Sequence, residues 1–327
     1  MNYRTLGKTK WKISDISLGT WQVGGKWGAA FDEKLAERIL HAAFDQGINF
    51  VDTADVYSSG LSEKFTSKVI KMRDERIFLA TKIGRRLSPH TSDGYNRENL
   101  TRFVEEALKN TGRETLDLVQ LHCPPSEVYD RPEVFGILDD LKAAGKIRHY
   151  GVSVEKVSEA MKAITYPGVA TVQIIFNLFR LKPAEEFFAA AQAARVGILA
   201  RVPLASGLLS GKMNAQTTFG KDDHRHFNRN GEAFDKGETF SGVPYETGLK
   251  AVEEYKKLFG EAFLPQHALR WILMFEAVSC VIPGASRVEH VMSNAQASEL
   301  PPLPQMAMDD AQEVYDRLLR EQIHPQW

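Results

Sequence analysis

The chain has 327 residues, of which 43% are hydrophobic and 25% charged, with 41 basic against 42 acidic side chains. This near-neutral balance gives no electrostatic footprint for nucleic acid or for an anionic membrane, and the apolar content suffices for one large core. Two cysteines are too few for a disulfide-built secreted domain, so a cytoplasmic location is expected. Residues 1–8 lack a signal-type apolar segment, and no apolar run is long enough to span a membrane.

Short apolar, β-rich runs alternate with longer amphipathic segments along the chain. The runs predicted as strands are Ile16–Leu18, Phe50–Thr53, Ile77–Lys82, Leu116–His122, Ile147–Ser153, Thr171–Phe176, Gly197–Val202 and Val278–Ile282. The helical patterns between them include Glu33–Gln46, Arg97–Asn110, Arg131–Ala144, Pro183–Ala194 and Leu249–Phe259. Repeated strand–helix units predict an α/β fold, a closed (β/α)₈ TIM barrel that takes residues 1–327 as a single domain.

Three further features refine this expectation. An open doubly wound sheet is the alternative, but the residues after the first strand, 19–25, do not match its Gly-rich dinucleotide turn. Tyr3–Leu6 and Trp11–Ile13 are predicted to form an N-terminal β-hairpin that closes one end of the barrel, and a C-terminal helical extension is expected at the other end of the chain. The long polar segment Ala205–Thr247 is predicted to be a functional lid or a disordered loop.

Four ionisable side chains follow neighbouring predicted strands, at the barrel end where catalytic groups collect. Asp52 follows the second strand and Tyr57 comes five residues later, while Lys82 and His122 end the third and fourth. Each alone has an ordinary explanation: a turn cap, a core aromatic, a snorkelling lysine or a structural histidine. Their convergence on one face favours a catalytic set.

Carbonyl reduction needs a proton at the oxygen as a hydride reaches the carbon. A free tyrosine has a pKa near 10, and a neighbouring lysine cation is expected to lower it. Asp52 would hold Lys82 charged and in place, and His122 would orient the carbonyl oxygen or relay the proton. The four residues thus predict a hydride-transfer enzyme with Tyr57 as general acid.

The segment Gly47–Tyr57 resembles the GI-x-F-x-DTA-x-x-Y signature of the aldo-keto reductase family. Residues 59–63, Ala80-Thr81-Lys82 and residues 117–122 are similar to further motifs of that family. The resemblance covers nearly the whole chain and implies a catalytic tetrad of Asp52, Tyr57, Lys82 and His122. It also implies a nicotinamide dinucleotide bound without a Rossmann turn.

The resemblance further implies a set of cofactor contacts. Ser153 and Gln173 would bind the nicotinamide carboxamide, Arg201 would lie where many relatives stack an aromatic ring, and Leu204, Ser206 and Leu209 would contact the pyrophosphate. The cofactor-binding residues implied are Gly19, Thr20, Trp21, Ser153, Gln173, Arg201, Pro203, Leu204, Ser206, Leu209, Lys212, Gly284, Ser286, Arg287, His290 and Asn294. Val154 departs from the family's common GVSN sequence, which carries Asn at this point.

The end of the eighth strand also predicts a phosphate site on physical grounds. Ser286 and Glu289 match an S-x-x-E capping box, so a helix is expected to start there, and a helix N-terminus binds anions. Arg287 adds a guanidinium whose geometry matches phosphate. A ribose 2′-phosphate would suit this site, which favours NADP(H) over NAD(H).

The substrate is expected to be a small carbonyl compound, an aldehyde, ketone or sugar, bound by Trp21, Trp27, Tyr57 and His122. No metal is predicted, because the cluster at residues 222–226 lacks a ligand framework and is interpreted as a solvated loop. Two other functions stay open: a Schiff-base aldolase using Lys82, and a non-catalytic cofactor-sensing subunit of the same fold. The oligomeric state stays open as well.

Overall fold

The computed structural model describes residues 1–23 and 31–327. Its strands are β1 (Tyr3–Thr5), β2 (Lys12–Ser14), β3 (Leu18–Gly19), β4 (Phe50–Asp52), β5 (Phe78–Ile83), β6 (Leu116–His122), β7 (Ile147–Ser153), β8 (Val169–Ile175), β9 (Gly197–Arg201) and β10 (Val278–Ile282). Strands β3 to β10 form one eight-stranded sheet in chain order. Parallel bridges from Ile16 to Val281 and from Gly19 to Gly284 close this sheet, which confirms the predicted barrel.

The α-helices of the described residues are α1 (Glu33–Asp45), α2 (Leu61–Ile70), α3 (Arg97–Thr111), α4 (Pro132–Ala143), α5 (Val157–Ala163), α6 (Lys182–Glu186), α7 (Phe188–Ala193), α8 (His224–Phe227), α9 (Tyr245–Phe259), α10 (Leu264–Leu273), α11 (Val288–Glu299), α12 (Gln305–Leu318) and α13 (Arg320–Ile323). Helix α1 shows how the sequence determines where a helix begins and which face it buries. Asp32 accepts a hydrogen bond from the backbone N–H of Leu35 at 3.0 Å and caps the N-terminus. The face with Ile39, Leu40 and Phe44 is buried, as its spacing predicts.

Two local expectations needed correction. The first barrel strand lies at Leu18–Gly19 instead of Ile16–Leu18, and Ile16 makes only an isolated bridge. The predicted helix Pro183–Ala194 is two helices, α6 and α7, which meet at Phe187. Successive helical side chains point about 100° apart. The chain bends at this junction, and both Phe187 and Phe188 become buried.

The N-terminal hairpin β1–β2 closes the bottom of the barrel, as expected. Leu6 and Ile13 pack with the inward-facing residues of five barrel strands. These residues are Phe50, Ala80, Leu118, Leu199 and Cys280. The interior is therefore filled at this end, and the site has to lie at the other. Among the described residues, no helix has the length and apolar character needed to cross a membrane.

Candidate active site

The structure brings the four predicted catalytic side chains together at the carboxyl ends of β4, β5 and β6. Lys82 Nζ lies 2.5 Å from Asp52 Oδ2 and 3.4 Å from the hydroxyl of Tyr57. The rings of Tyr57 and His122 have their centroids 6.2 Å apart. Tyr57 begins a 3₁₀ turn five residues after the end of β4. Hydrogen bonds and ring contacts thus join these side chains from three adjacent strands.

Lys82 is a buried ammonium that depends on its partners. Only 1% of the residue is exposed, and its Nζ donates to Asp52 and, at 3.0 Å, to the carbonyl of Thr53. Burial lowers the pKa of Lys82, but the charges and hydrogen bonds of Asp52 and Tyr57 outweigh burial and leave it raised. The side chain is therefore a charged ammonium, as the sequence predicts.

Asp52 is itself held by two amides. Its Oδ1 accepts from Gln173 Nε2 at 2.9 Å and from Gln120 Nε2 at 3.2 Å. Gln173, expected to bind a nicotinamide carboxamide, uses its amide nitrogen on this carboxylate, so only its Oε1 remains available for such a role. The neighbouring expected ligand Ser153 is buried, with its Oγ 3.7 Å from the Sγ of Cys123.

The pKa of Tyr57 differs from the expectation. Burial raises this pKa, and the lowering contributed by Lys82 is too small to reverse the shift. The expectation of a lowered tyrosine pKa is wrong for the protein without its cofactor and substrate, because removal of the phenolate from water outweighs one ammonium. At neutral pH Tyr57 therefore carries its proton and is ready to donate it.

His122 is a neutral imidazole. Burial, followed by the positive charges of Arg85, Lys82 and Arg201, holds its pKa well below the ordinary value. Its Nδ1 is buried without a hydrogen-bond partner among the described residues. An unsatisfied buried polar atom beside a reactive tyrosine indicates a site made to receive a polar ligand.

Backbone strain marks the same end of the barrel. Ser58 and Ser59 after β4, Cys123 after β6 and Val202 after β9 all have positive φ angles between 47° and 53°. A left-handed conformation is uncommon for non-glycine residues and is a clear outlier for a β-branched valine. Such strain clusters at functional sites, so the backbone supports the same location as the side chains.

Aromatic rings from two segments cover Tyr57. Trp21 stacks over it at 6.1 Å between ring centroids, and His224 and Phe234 of the long segment lie 4.9 and 6.2 Å from Trp21. The segment 205–247 is thus neither disordered nor a purely solvated loop, and the solvated interpretation is wrong for His224. Trp27, the other expected substrate contact, lies outside the described residues.

A buried charge cluster that the sequence analysis missed adjoins His122. Arg85 donates to Glu238 at 2.8 Å, and Arg201 lies 3.7 Å from the same carboxylate oxygen. Arg201 also donates to the carbonyl of Val154 at 3.1 Å and approaches Cys123 Sγ at 3.6 Å. The sequence Arg85-Arg86 soon after Lys82 was a usable signal. Glu238 lies in an irregular segment, and no sequence pattern indicated its role.

This cluster includes the only group of three side chains in the described ranges that could hold a metal, Cys123, Glu155 and Glu238. The guanidinium groups of Arg85 and Arg201 already supply positive charge there. Burial also raises the pKa of the Cys123 thiol to about 12, which disfavours the thiolate that metals need. The two arginines therefore offset the charge of the Glu238 carboxylate.

Several residues expected to bind the cofactor have side chains that are buried or hydrogen-bonded within the protein. The hydroxyl of Thr20 bonds to the carbonyl of Asp52 and to Ser62, and Ser206 donates to the carbonyl of Glu238 at 2.9 Å and accepts from the N–H of Phe240 at 3.1 Å. The Ser206 hydroxyl, expected to contact the pyrophosphate, thus makes two hydrogen bonds within the protein. Leu209 is fully buried, and Pro203 is buried as well.

The outer end of the expected cofactor site lies after β10. Gly19 and Gly284 are bridged there, Asn294 donates to the carbonyl of Gly284 at 3.3 Å, and Leu204 is half-buried. The capping-box prediction is wrong: helix α11 begins at Val288 with Arg287 as its N-cap residue and no capping side chain. The Oγ of Ser286 instead lies 3.3 Å from His290 Nδ1.

Arg287 and Lys212 nevertheless make this end cationic. Arg287 is exposed and donates from Nε to His290 Nε2 at 2.9 Å. Burial, then the charges of Arg287 and Lys212, lower the pKa of His290, so Lys212 also acts on this end of the site. Arg287 and His290 are thus in contact at the start of α11, and the charge of Lys212 acts on the same imidazole.

Comparisons with known proteins agree with this geometry. A model of the Aldo/keto reductase family matches residues 15–316. The chain belongs to the aldo/keto reductase family. It is 31% identical over 296 residues to the aldo-keto reductase YhdN of Bacillus subtilis (strain 168). This alignment covers 88% of this chain and 86% of that protein. The family resemblance predicted from the sequence is thereby confirmed.

Solved structures of this family share the fold over the full chain. The aldo-keto reductase AKR11C1 from Bacillus halodurans, in its holo form, has a TM-score of 0.78 at 27% identity, covering 99% of both chains. The glycerol dehydrogenase AKR11B4 from Gluconobacter oxydans has a TM-score of 0.79 at 27% identity, covering 100% of this chain and 98% of that one. As an aldo/keto reductase, the protein is an oxidoreductase of carbonyl compounds and alcohols.

Proposed function

We propose that this aldo/keto reductase uses NADP(H) and that Tyr57 is its general acid and base. The observation that carries the proposal is the contact of Tyr57 with Lys82, whose Nζ lies 3.4 Å from the hydroxyl and is fixed by Asp52. The expected substrate is a small aldehyde, ketone or sugar.

In reduction, Tyr57 would give its proton to the carbonyl oxygen. A bound, reduced nicotinamide dinucleotide would be the source of the hydride for the carbon. Lys82 stabilises the phenolate that remains, and Asp52 keeps Lys82 in place. Water then returns the proton to Tyr57. In alcohol oxidation the same groups act in reverse, with the phenolate as base.

The residues present fit a nicotinamide dinucleotide. His122 Nδ1 and Arg201 Nε are buried polar atoms without partners among the described residues, and both belong to strands that end at the mouth. We infer that they face the nicotinamide end, near Ser153 and Gln173. The phosphates would follow residues 203–212 toward Gly284 and Asn294.

The proposed preference for NADP(H) rests on Arg287 and His290 at the start of α11 and on the charge of Lys212 that acts on His290. Arg287 is exposed, and its planar guanidinium offers several hydrogen-bond donors. Its partner His290 also feels the positive charge of Lys212. A 2′-phosphate offers the doubly charged group that such a cluster binds. The hydroxyl of NADH offers no charge.

The matched pair Tyr57→Phe and Tyr255→Phe tests the role of Tyr57. Both changes remove a hydroxyl, but that of Tyr255 donates to the carbonyl of Leu178 and to none of the tetrad. Loss of a general acid costs about 10²- to 10⁴-fold in rate, so Tyr57→Phe should lose kcat by this amount and keep its NADPH affinity. Tyr255→Phe should keep kcat. Retention of full turnover by Tyr57→Phe would refute the assignment.

Arg287→Ala tests the cofactor preference by fluorescence titration with NADPH and NADH. A charge-assisted hydrogen bond to a charged group contributes about 1.5 to 3 kcal/mol, so NADPH should bind roughly 10- to 100-fold more weakly. NADH binding should change little. Arg317→Ala, on the exposed face of α12, is the control. Equal losses for the two cofactors would show that Arg287 does not bind the 2′-phosphate.

The geometry does not favour a Schiff-base aldolase. An amine nucleophile must be neutral, but Asp52 and Tyr57 keep Lys82 an ammonium by raising its pKa. A cofactor-sensing role would use the same site without fast turnover, and the Tyr57→Phe experiment separates the two, since only an enzyme has a rate to lose. The single-domain organisation and the cytoplasmic location stay predictions.

A further inference from the structure

Arg85 lies at the mouth of the barrel and has no part in the chemistry proposed above. It follows Lys82 by three residues, just beyond β5, and its Nη1 lies 3.5 Å from the Nε2 of His122. About 20% of the side chain is exposed. A substrate whose carbonyl group lies beside Tyr57 and His122 can therefore also contact this guanidinium.

Glu238 occupies one side of the guanidinium and leaves another side free. Its Oε1 accepts a hydrogen bond from Arg85 Nη1 at 2.8 Å. The Nε and Nη2 of Arg85 have no hydrogen-bond partner among the described residues, and neither atom is fully enclosed in the protein. Two parallel N–H groups of this kind match the two oxygens of a carboxylate. Arg85 thus presents an unused carboxylate-binding edge at the mouth.

The position of this edge is fixed before any ligand binds. The guanidinium carbon lies 5.4 Å from the centre of the Phe234 ring. Phe234 in turn packs against Trp21, with 6.2 Å between the ring centroids, and Trp21 stacks over Tyr57. The contacts with Glu238 and Phe234 restrict the long arginine side chain, so ligand binding costs less conformational entropy than at a free surface arginine. The same run of aromatic rings links the guanidinium to the phenol.

The net charge of the mouth favours an anionic substrate. Lys82 pairs with Asp52. Arg85 and Arg201 share one carboxylate among the described residues, that of Glu238. One positive charge is therefore in excess. In a site with little water, such an excess attracts an anion more strongly than it would at the protein surface.

We propose that Arg85 is a specificity-determining residue whose Nε and Nη2 bind a carboxylate of the substrate, so that carbonyl compounds with an acid group are preferred. Glu238 acts as the positioning residue of Arg85. The inference rests on the proposed function, because it concerns the substrate of the same site. Tyr57 and His122 keep their places at the carbonyl oxygen, and the substrate's carboxylate takes no part in the reaction.

Butanal and succinic semialdehyde test the preference, because the two aldehydes have carbon chains of the same length and only the second ends in a carboxylate. A hydrogen bond to a charged group changes binding roughly 10- to 100-fold, so wild type should have a kcat/KM higher by this factor for succinic semialdehyde. The assays are run at about pH 6. Glu155, with its pKa of about 7, is then mostly protonated and leaves the excess positive charge in place. A wild-type protein that prefers butanal, or does not discriminate, would overturn the inference.

Arg85→Met, with Arg113→Met as control, tests whether the preference comes from Arg85. Arg113 forms a similarly enclosed ion pair with Asp117, near the start of β6 and thus at the other end of the barrel. Arg85→Met should bring the kcat/KM values of the two aldehydes to within about threefold of each other, whereas Arg113→Met should keep the wild-type ratio. An Arg85→Met protein that keeps the wild-type ratio, even at a lower overall rate, would show that Arg85 does not bind the carboxylate.

Calorimetric titration with butanoate measures carboxylate binding without turnover and separates this inference from the role of Tyr57. The protein is loaded with its nicotinamide cofactor, and butanamide serves as the uncharged control ligand. Butanoate should bind Arg85→Met roughly 10- to 100-fold more weakly than wild type, and butanamide should bind both alike. Equal butanoate affinities would overturn the inference even if Tyr57→Phe is inactive. Butanoate binding that depends on Arg85 would support it even if Tyr57→Phe keeps its turnover.

Discussion

Replacing Glu155 by glutamine should stabilise the protein, and the gain should grow with pH. Glu155 follows β7 beside the Arg85–Glu238 cluster, and its side chain is only partly exposed. Burial, then the negative charges of Asp235 and Glu238, raise its pKa to about 7, although Arg201 and Arg85 oppose the shift. The folded protein thus holds a proton here that the unfolded chain releases at lower pH.

The size and sign follow from proton linkage. A pKa raised from 4.5 to about 7 destabilises the fold once the unfolded chain ionises. The loss develops as pH rises between these two values and stays constant above them. At 1.36 kcal/mol per pKa unit it amounts to about 3 kcal/mol, and to roughly 2 kcal/mol after screening of the exposed part. Glutamine has the shape of the protonated acid and carries none of this cost.

Urea unfolding of wild type and Glu155→Gln at pH about 5, 6, 7 and 8 measures the effect. The two proteins should have similar free energies of unfolding at the lowest pH, and the variant should be more stable by roughly 2 kcal/mol at the highest. Glu127→Gln is the control, because Glu127 is exposed. It should change the free energy of unfolding by less than about 0.5 kcal/mol at every pH. A stability difference that does not vary with pH would refute the reasoning.

Two further predictions concern the reaction and the long segment. Because burial keeps Tyr57 protonated, kcat/KM for reduction should change only about threefold between pH 6 and 9. Oxidation needs the phenolate, so its kcat/KM should rise roughly tenfold per pH unit. A kcat/KM for reduction that falls as steeply as that for oxidation rises would contradict a raised pKa of Tyr57. Trp327 packs under Arg180 at 3.9 Å and donates a hydrogen bond to Asp235 at 2.9 Å. Trp327→Ala should therefore lower the free energy of unfolding by about 3 kcal/mol and speed proteolysis between residues 216 and 235. Unchanged cleavage would show that the segment does not need this contact.

The barrel and the tetrad could be predicted because they follow from local, periodic signals. Strand β6 carries four apolar residues among seven, Leu116, Leu118, Val119 and Leu121, and its bounds are Leu116–His122 in both the prediction and the structure. Asp52, Lys82 and His122 sit at strand ends, and parallel strands of a barrel deliver their ends to one face. Their convergence needed only the order of elements.

The interactions that cross from the long segment to the barrel could not be predicted. Glu238 meets Arg85 across a separation of 153 residues, and no periodicity in residues 205–247 places it there. The raised pKa of Tyr57 was missed for a related reason. The pairing with Lys82 is visible from strand order. The degree of burial depends on Trp21, which stacks on the phenol, and on His224 and Phe234, which pack against Trp21.

The charges around the mouth leave an excess of positive charge where the carbonyl oxygen would lie. The described charged groups in contact there are Lys82, Arg85 and Arg201 against Asp52 and Glu238. One surplus cation in a water-poor site stabilises a developing oxyanion more than it would in solution. Ionisation of Glu155, with its pKa of about 7, would cancel this surplus. Glu155→Gln should therefore reduce carbonyls faster than wild type above neutral pH and match it below. The opposite order would mean that the surplus charge does not act on the oxygen.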